Sequence, residues 1–155
     1  MLDQNTSAQL KTLLERLEGP IELVATLNGS EKSDKIKELV EEVAALSPLV
    51  TARFDGQNSR APSFGVAKAG EEPRVFFAGL PMGHEFTSLI LALLQTSGYA
   101  PKVSDEVLAS IKGLGIQSDF DVFVSLSCHN CPDVVQALNL IAIYNPGTTA
   151  TMIDG

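Results

Sequence analysis

Two cysteines three residues apart, Cys128 and Cys131, give the clearest chemical signal in the 155-residue chain. They belong to the stretch Ser127–Pro132, which follows an apolar run typical of a strand and opens a run typical of a helix. At such a junction the free N–H groups and the positive end of the helix dipole favour a thiolate at the first cysteine. The pattern therefore predicts a redox dithiol, in which Cys128 attacks an external disulfide and Cys131 resolves the mixed disulfide.

Structural zinc and a pair of inert buried thiols are the alternatives to a redox pair. A zinc site needs four ligands, and besides the cysteines the chain offers only His84 and His129 as further His or Cys ligands. His129 lies between the two cysteines, where it cannot easily complete a tetrahedral site. We therefore expect no metal site in this chain, with a metal shared across a dimer as an alternative.

An acid or base near the resolving cysteine has to take its proton before the disulfide closes. Glu85, in the segment Gly83–Thr87, opens an otherwise apolar helix and is the more specific candidate. Compensation of the helix dipole is an equally good interpretation of this carboxylate. Asp119 and Asp121 are nearer to the dithiol in sequence, but charges at the start of a strand are more typical of a solvated surface.

The residues around the dithiol are expected to adjust its redox behaviour. A cationic or hydrogen-bonding spacer, here His129 and Asn130, stabilises the Cys128 thiolate. Asn130 is explained equally well as a solvated loop residue. Pro132 is a helix starter in the first turn. Pro62 stands directly before a predicted strand, where an ordinary trans bond is the default expectation and a cis bond is the alternative.

The composition excludes several classes of function. Acidic residues outnumber basic ones by 19 to 11, which gives a net charge of −8, and no Lys/Arg run is present to bind phosphates. We therefore expect no nucleic-acid partner. The most apolar stretch, Leu89–Leu94, is far shorter than the roughly 18–20 residues of a membrane helix. Because Met1–Asn5 also lacks the pattern of a secretory signal, we expect a cytoplasmic protein with no membrane partner.

Apolar periodicity and breaker residues predict an α/β order of elements. The predicted helices are 3–18, one ending near 45, 85–96, 104–111 and 131–144, and the predicted strands are 21–27, 49–54, 63–68, 74–78, 120–126 and 148–153. Connection lengths predict a parallel pair for the first two strands and an antiparallel hairpin for the next two. Strand 120–126 is apolar at five of its seven positions, so we expect it at the centre of a sheet with both faces covered.

The element order repeats at an offset of about 100 residues, which is the signature of a duplicated unit. The offset aligns strand 21–27 with strand 120–126 and Asn28 with Cys128. The first copy closes with two strands and a helix that the second copy lacks. We therefore expect the chain to be the front part of a longer one, with an unpaired strand edge in the second copy.

Two stretches, Gly83–Leu89 and Ser125–Leu140, carry a family resemblance. From end to end, the chain closely resembles the N-terminal domain of the F subunit of alkyl hydroperoxide reductase, and these two stretches are the most specific part of the match. The F subunit is a flavoprotein. The resemblance implies an α/β fold of tandem thioredoxin-like units, with mixed sheets flanked by helices. The first unit, residues 1–98, would lack the dithiol, and the second, residues 101–155, would carry it and be incomplete.

The same resemblance implies a function in peroxide detoxification. In this family electrons pass from NADH to FAD, to a dithiol of the downstream flavin reductase domain, to the pair matching Cys128 and Cys131, and on to the disulfide of the C subunit, a peroxiredoxin. Glu85 matches an acidic residue placed near the dithiol, and the full-length family member would be a homodimer. The resemblance assigns FAD and NADH to the downstream part of the full-length protein, so this chain is expected to have no cofactor-binding residue and not to oxidise NADH alone. A docking module for the peroxiredoxin or reductase and a general protein disulfide reductase are the alternatives.

Overall fold

The computed structural model describes residues 2–154, so Met1 and Gly155, the outer limits of the two predicted units, lie outside the described residues. The elements follow the predicted order. They are α1 (Gln4–Leu14), β1 (Ile21–Thr26), α2 (Glu31–Ala45), β2 (Val50–Arg53), β3 (Ser63–Lys68), β4 (Val75–Ala78), a 3-10 helix (Gly83–Glu85), α3 (Phe86–Thr96), α4 (Asp105–Lys112), β5 (Ser118–Val124), α5 (Cys131–Tyr144) and β6 (Thr148–Asp154).

Polar caps set the starts of three helices. The side chains of Asp3, Ser30 and Ser104 each accept a hydrogen bond from the backbone N–H three residues later, at 2.7, 3.2 and 3.2 Å. At its other end α1 stops at Leu14, earlier than the predicted residue 18. The next N–H groups donate to carbonyls three residues back and so tighten the chain before Gly19.

The strands of residues 2–154 form one mixed sheet in the order β2-β1-β3-β4-β6-β5. As predicted, β1 pairs with β2 in parallel, and β3 and β4 form an antiparallel hairpin. β4 also pairs with β6 in parallel, with Val75 opposite Ala150 and Ala78 opposite Ile153. The mixed α/β class is confirmed, with one ladder of strands that crosses from the first predicted unit into the second. The division into units at residues 98–101 stays a prediction.

The expected position of the strand before the dithiol is wrong. β5 lies at one edge of the sheet, and of its residues only Val124 is buried, while Phe123 is 67% exposed. The reason is that β6 is inserted between β4 and β5 and takes the covered position, with five of its seven residues buried. The unpaired strand edge expected in the second copy is present at β5.

Packing between α3 and α5 positions the candidate site. Leu89 and Leu93 of α3 and Val135 and Ala142 of α5 are at most 1% exposed and belong to one core. The 3-10 helix that precedes α3 contacts α5 as well. The segment containing Glu85 is thereby held against the helix that begins with Cys131. Among the described residues no helix has the length and apolar character needed to cross a membrane.

Candidate redox site

Cys128 and Cys131 form a disulfide at the start of α5, with their Cα atoms 5.6 Å apart. Cys131 is the first residue of the helix, and its backbone N–H donates to the Cys128 Sγ at 3.2 Å. Both cysteines are half-buried. An N–H group at a helix start that points at a sulfur stabilises that sulfur as a thiolate. The predicted pairing is confirmed, while the division of roles between the two sulfurs stays a prediction.

The residues between and after the cysteines shape the start of the helix. Asn130 occupies the N-cap position but its side chain makes no capping bond, and His129 beside it is exposed. Pro132 lies buried in the first turn, as expected of a helix starter. The N–H of Cys131 therefore donates to the Cys128 sulfur and not to an N-cap side chain. The tuning roles of His129 and Asn130 stay predictions.

The segment Gly83–Glu85 lies against the loop that leads to the dithiol. The N–H of His84 donates to the carbonyl of Leu126 at 3.3 Å, and the His84 and His129 ring centroids are 4.4 Å apart. Gly83 has φ +59°, and a Cβ there would come within 2.9 Å of the Leu126 carbonyl oxygen. Only glycine fits this approach without strain. The close approach brings Glu85 of the first half to the dithiol side of the second.

Glu85 is fully buried, with 0% of its surface exposed. Its Oε1 accepts a hydrogen bond from the Ser88 hydroxyl at 2.8 Å, and its Oε2 has no hydrogen-bond partner among the described residues. Burial raises the pKa of this carboxyl above its ordinary value, because desolvation outweighs the opposing effects of the Ser88 bond and of the His84 charge. Such a group is suited to holding a proton at pH values where a surface glutamate is ionised.

The two aspartates considered from the sequence are engaged elsewhere. Asp119 accepts a hydrogen bond from the Thr149 hydroxyl at 2.5 Å, and Asp121 forms an ion pair with Arg60 at 3.2 Å. Both aspartates are exposed on the edge strand β5. Both carboxylates are therefore surface charges, which is the interpretation that the sequence favoured.

Metal binding was one alternative for the cysteines. Across residues 2–154 no three His, Cys, Asp or Glu side chains lie close enough to hold a metal ion. The Ala61–Pro62 peptide bond is cis, which was the alternative to the expected trans bond.

Sequence reasoning missed the residues that connect Glu85 to the dithiol helix. Gln136, one turn beyond the cysteines, donates from Nε2 to the Ser88 hydroxyl oxygen at 3.2 Å, and Ser88 in turn donates to Glu85. Ser88 and Gln136 each lie inside one of the two stretches that carry the family resemblance. Only the packing of α3 on α5 reveals that they meet.

Comparison with known proteins gives consistent matches, although no protein-family model matches the chain. The chain is 50% identical to the F subunit of alkyl hydroperoxide reductase from Pseudomonas putida and to that from Staphylococcus epidermidis, and 46% identical to that from Pseudomonas aeruginosa. Each match covers the whole chain but only 30% of the relative, so the chain spans about a third of the length of these proteins.

Solved structures give the same result. An N-terminal domain of the F subunit of alkyl hydroperoxide reductase from Enterococcus faecalis matches 99% of this chain and 80% of its own, at 28% identity and a TM-score of 0.88. A protein disulfide oxidoreductase from Aeropyrum pernix matches 97% of this chain and 76% of its own, at 20% identity and a TM-score of 0.76, which bears on the fold alone. These matches confirm the resemblance and the thioredoxin-like fold.

Proposed function

Because the chain resembles the N-terminal domain of the F subunit of alkyl hydroperoxide reductase along its whole length, we propose that it is a thiol–disulfide relay in peroxide detoxification. It takes two electrons from a dithiol of a flavin reductase module and passes them to the disulfide of a peroxiredoxin, the C subunit of such a reductase. The proposal includes a cytoplasmic location and a homodimeric full-length form. The observation that carries it is the Cys128–Cys131 disulfide at a helix start, with the Cys131 N–H pointing at the Cys128 Sγ.

The proposed electron transfer takes place in two exchanges. In the reduced pair the Cys128 thiolate attacks one sulfur of the partner disulfide, so that a mixed S–S bond forms and the partner's other sulfur leaves as a thiolate. Cys131 then loses its proton and attacks the Cys128 Sγ, which releases the partner's second sulfur as a thiolate. The partner gains two electrons, and the pair returns to the disulfide.

Glu85 is proposed as the acid that modulates the second exchange. Closing the disulfide requires Cys131 to give up its proton, and a buried carboxylate with a raised pKa accepts a proton readily. The 3-10 helix holds Glu85 against α5, on which Cys131 is the first residue.

The lining of the open groove beside β5 does not fit the pyrophosphate of FAD or NADH. This groove, of about 790 Å³, has Asp55, Glu72, Asp119 and Asp121 in its lining beside Arg53 and Arg60. The pyrophosphate of a dinucleotide would meet four carboxylates there, with no glycine-rich turn at a helix start to bind it. The flavin and nicotinamide chemistry is therefore assigned to the reductase module, which delivers electrons to this chain through thiols.

The test compares Cys128→Ser with Cys131→Ser, using the peroxiredoxin of an alkyl hydroperoxide reductase in its disulfide form as the partner. We expect Cys131→Ser to accumulate a mixed disulfide with the peroxiredoxin, because Cys128 still attacks and nothing resolves the product. Cys128→Ser should form none. In the unsubstituted chain, after its disulfide has been reduced, Cys128 should be alkylated at neutral pH faster than free cysteine. Reactivity no greater than that of free cysteine would overturn the proposal.

The same variants separate the two alternatives. In an assay with the full reductase, the Cys128→Ser substitution should leave peroxiredoxin turnover unchanged if the chain is only a docking module. A general protein disulfide reductase would reduce insulin as fast as it reduces the peroxiredoxin. The relay predicts loss of turnover with Cys128→Ser and slow reduction of insulin.

A further inference from the structure

A line of three polar side chains links the first half of the chain to the dithiol helix. Gln136 of α5 donates from Nε2 to the Ser88 Oγ at 3.2 Å, and the Ser88 hydroxyl donates to the Glu85 Oε1 at 2.8 Å. Glu85 and Ser88 are both 0% exposed, and Gln136 is half-buried. Water therefore does not compete with the hydrogen bond between Ser88 and Glu85, and the protein sets the direction of that bond.

The direction of this line follows from counting protons. A serine hydroxyl has one proton and accepts through its lone pairs. Because the Gln136 amide donates to the Ser88 Oγ, the Ser88 proton is free to point at the Glu85 Oε1. Oε1 is thus an acceptor in both the charged and the neutral carboxyl, and the acidic proton of the neutral form sits on Oε2. Oε2 is the buried oxygen without a partner among the described residues.

We propose that Ser88 and Gln136 are positioning residues that keep the Glu85 Oε1 as a permanent acceptor, so that proton exchange with the dithiol takes place at Oε2. The inference deepens the relay proposed above and rests on it for the identity of the proton donor, the Cys131 thiol. In that step the Cys131 S–H bond breaks, an O–H bond forms at Oε2, and the sulfur keeps its electron pair to attack the Cys128 Sγ. Glu85 is neither oxidised nor reduced.

Few other ionisable groups lie on the elements packed against Glu85. His84 is its neighbour in the 3-10 helix and has His129 against its ring. The first turn of α5 adds Cys131 and the exposed Asp133, and α3 carries none between Phe86 and Thr96. Ser88 is thus the one hydrogen-bond donor to the carboxyl side chain among the described residues.

The experiment measures the apparent pKa of Glu85 in the oxidised chain, from the pH dependence of its side-chain carboxyl carbon signal in NMR. Glu85→Gln identifies the signal by its absence. We expect Ser88→Ala to raise this pKa by about 1 unit, since a hydrogen bond to a charged group is lost. Gln136→Met, which keeps the Ser88 hydroxyl but frees it to rotate, should raise it by roughly half as much. Gln95→Met, the same change on α3 outside the line, is the control and should leave it unchanged.

A second measurement follows the chemistry of the pair. An aromatic disulfide reagent first caps Cys128, and the attack of Cys131 then releases the second aromatic thiol. The pH midpoint of that release should move up with the Glu85 pKa in Ser88→Ala and in Gln136→Met. Unmoved NMR titrations in both variants would overturn the inference. The NMR titration uses the disulfide form and therefore does not depend on the reactivity of Cys128. An unreactive Cys128 would show that the relay fails, whereas unmoved titrations would show that the positioning role fails.

Discussion

Arg74 joins the first half of the chain to the end of the dithiol helix, and its removal should destabilise the whole fold. The residue stands directly before β4, and its guanidinium donates from Nε to the Ala142 carbonyl and from a terminal NH2 group to the Ile143 carbonyl, both at 2.8 Å. These carbonyls belong to the last turn of α5, where backbone acceptors lack helical partners and a positive charge favours the dipole. Arg74→Met removes both donors and the charge.

The size of the effect follows from the two bonds. A hydrogen bond to a charged group contributes about 1.5–3 kcal/mol, and partial exposure of Arg74 reduces this, so the pair contributes roughly 2–4 kcal/mol. A loss near 3 kcal/mol should lower Tm by about 6–12 °C for a chain of this length. Urea unfolding should show a lower midpoint with an unchanged slope. Arg74→Lys, whose ammonium cannot span both carbonyls in a fixed fork, should recover half of the loss or less.

Arg53→Met is the matched control for this prediction. The Arg53 side chain is 43% exposed and reaches the Glu22 and Asp55 carboxylates only at 3.9 and 3.5 Å. Exposed pairs of this kind contribute less than about 1 kcal/mol. If Arg74→Met and Arg53→Met reduced the free energy of unfolding by the same amount, the carbonyls of α5 would not depend on Arg74, and the reasoning would be refuted.

Two further predictions concern the segment that approaches the dithiol. Burial raises the pKa of Glu85 from its ordinary 4.5, so the stability that this group contributes is present below that pH and is lost as pH rises through its folded-state pKa. Glu85→Gln should therefore gain stability relative to the unsubstituted chain as pH rises from 4 to 8, and urea unfolding that shows a constant difference would contradict this. Gly83→Ala should cost about 1–3 kcal/mol, because its φ is positive and its Cβ would crowd the Leu126 carbonyl. Thermal unfolding measures that cost, and Gly70→Ala, also at positive φ but with open space around it, separates the backbone strain from the crowding.

Local sequence patterns were sufficient for most of the fold and for the cysteines. The bounds of α5 and β3 match the prediction, because a breaker or a polar turn flanks each of these apolar runs. The position of β5 was not predictable in this way, since Phe120, Val122 and Phe123 have the composition of a covered strand. The parallel pairing of β4 with β6, between residues 75 positions apart such as Val75 and Ala150, leaves Phe123 exposed and Phe120 and Val122 only half-buried. No local periodicity encodes such a pairing.

In the candidate site, too, local sequence patterns indicated some residues and only the packing of the helices revealed the others. The dithiol was predictable because two cysteines at a helix start have direct chemical meaning. Glu85 was a candidate for the same reason, and its role stays a prediction. Ser88 and Gln136 have common surface residue types, and their role depends on which faces of α3 and α5 meet. The contact between His84 and His129 was missed for the same reason, since its partners are 45 positions apart in the chain.

The pairing of β4 with β6 also bears on how the disulfide would meet the partners of the proposed relay. A hinge between two thioredoxin-like halves would let the dithiol turn alone from a reductase toward a peroxiredoxin. Four residue pairs of backbone ladder, from Val75–Ala150 to Ala78–Ile153, connect the halves instead, and shearing them would break several hydrogen bonds at once. In the proposed relay, successive partners would therefore meet a disulfide and a Glu85 whose elements are joined by one continuous sheet.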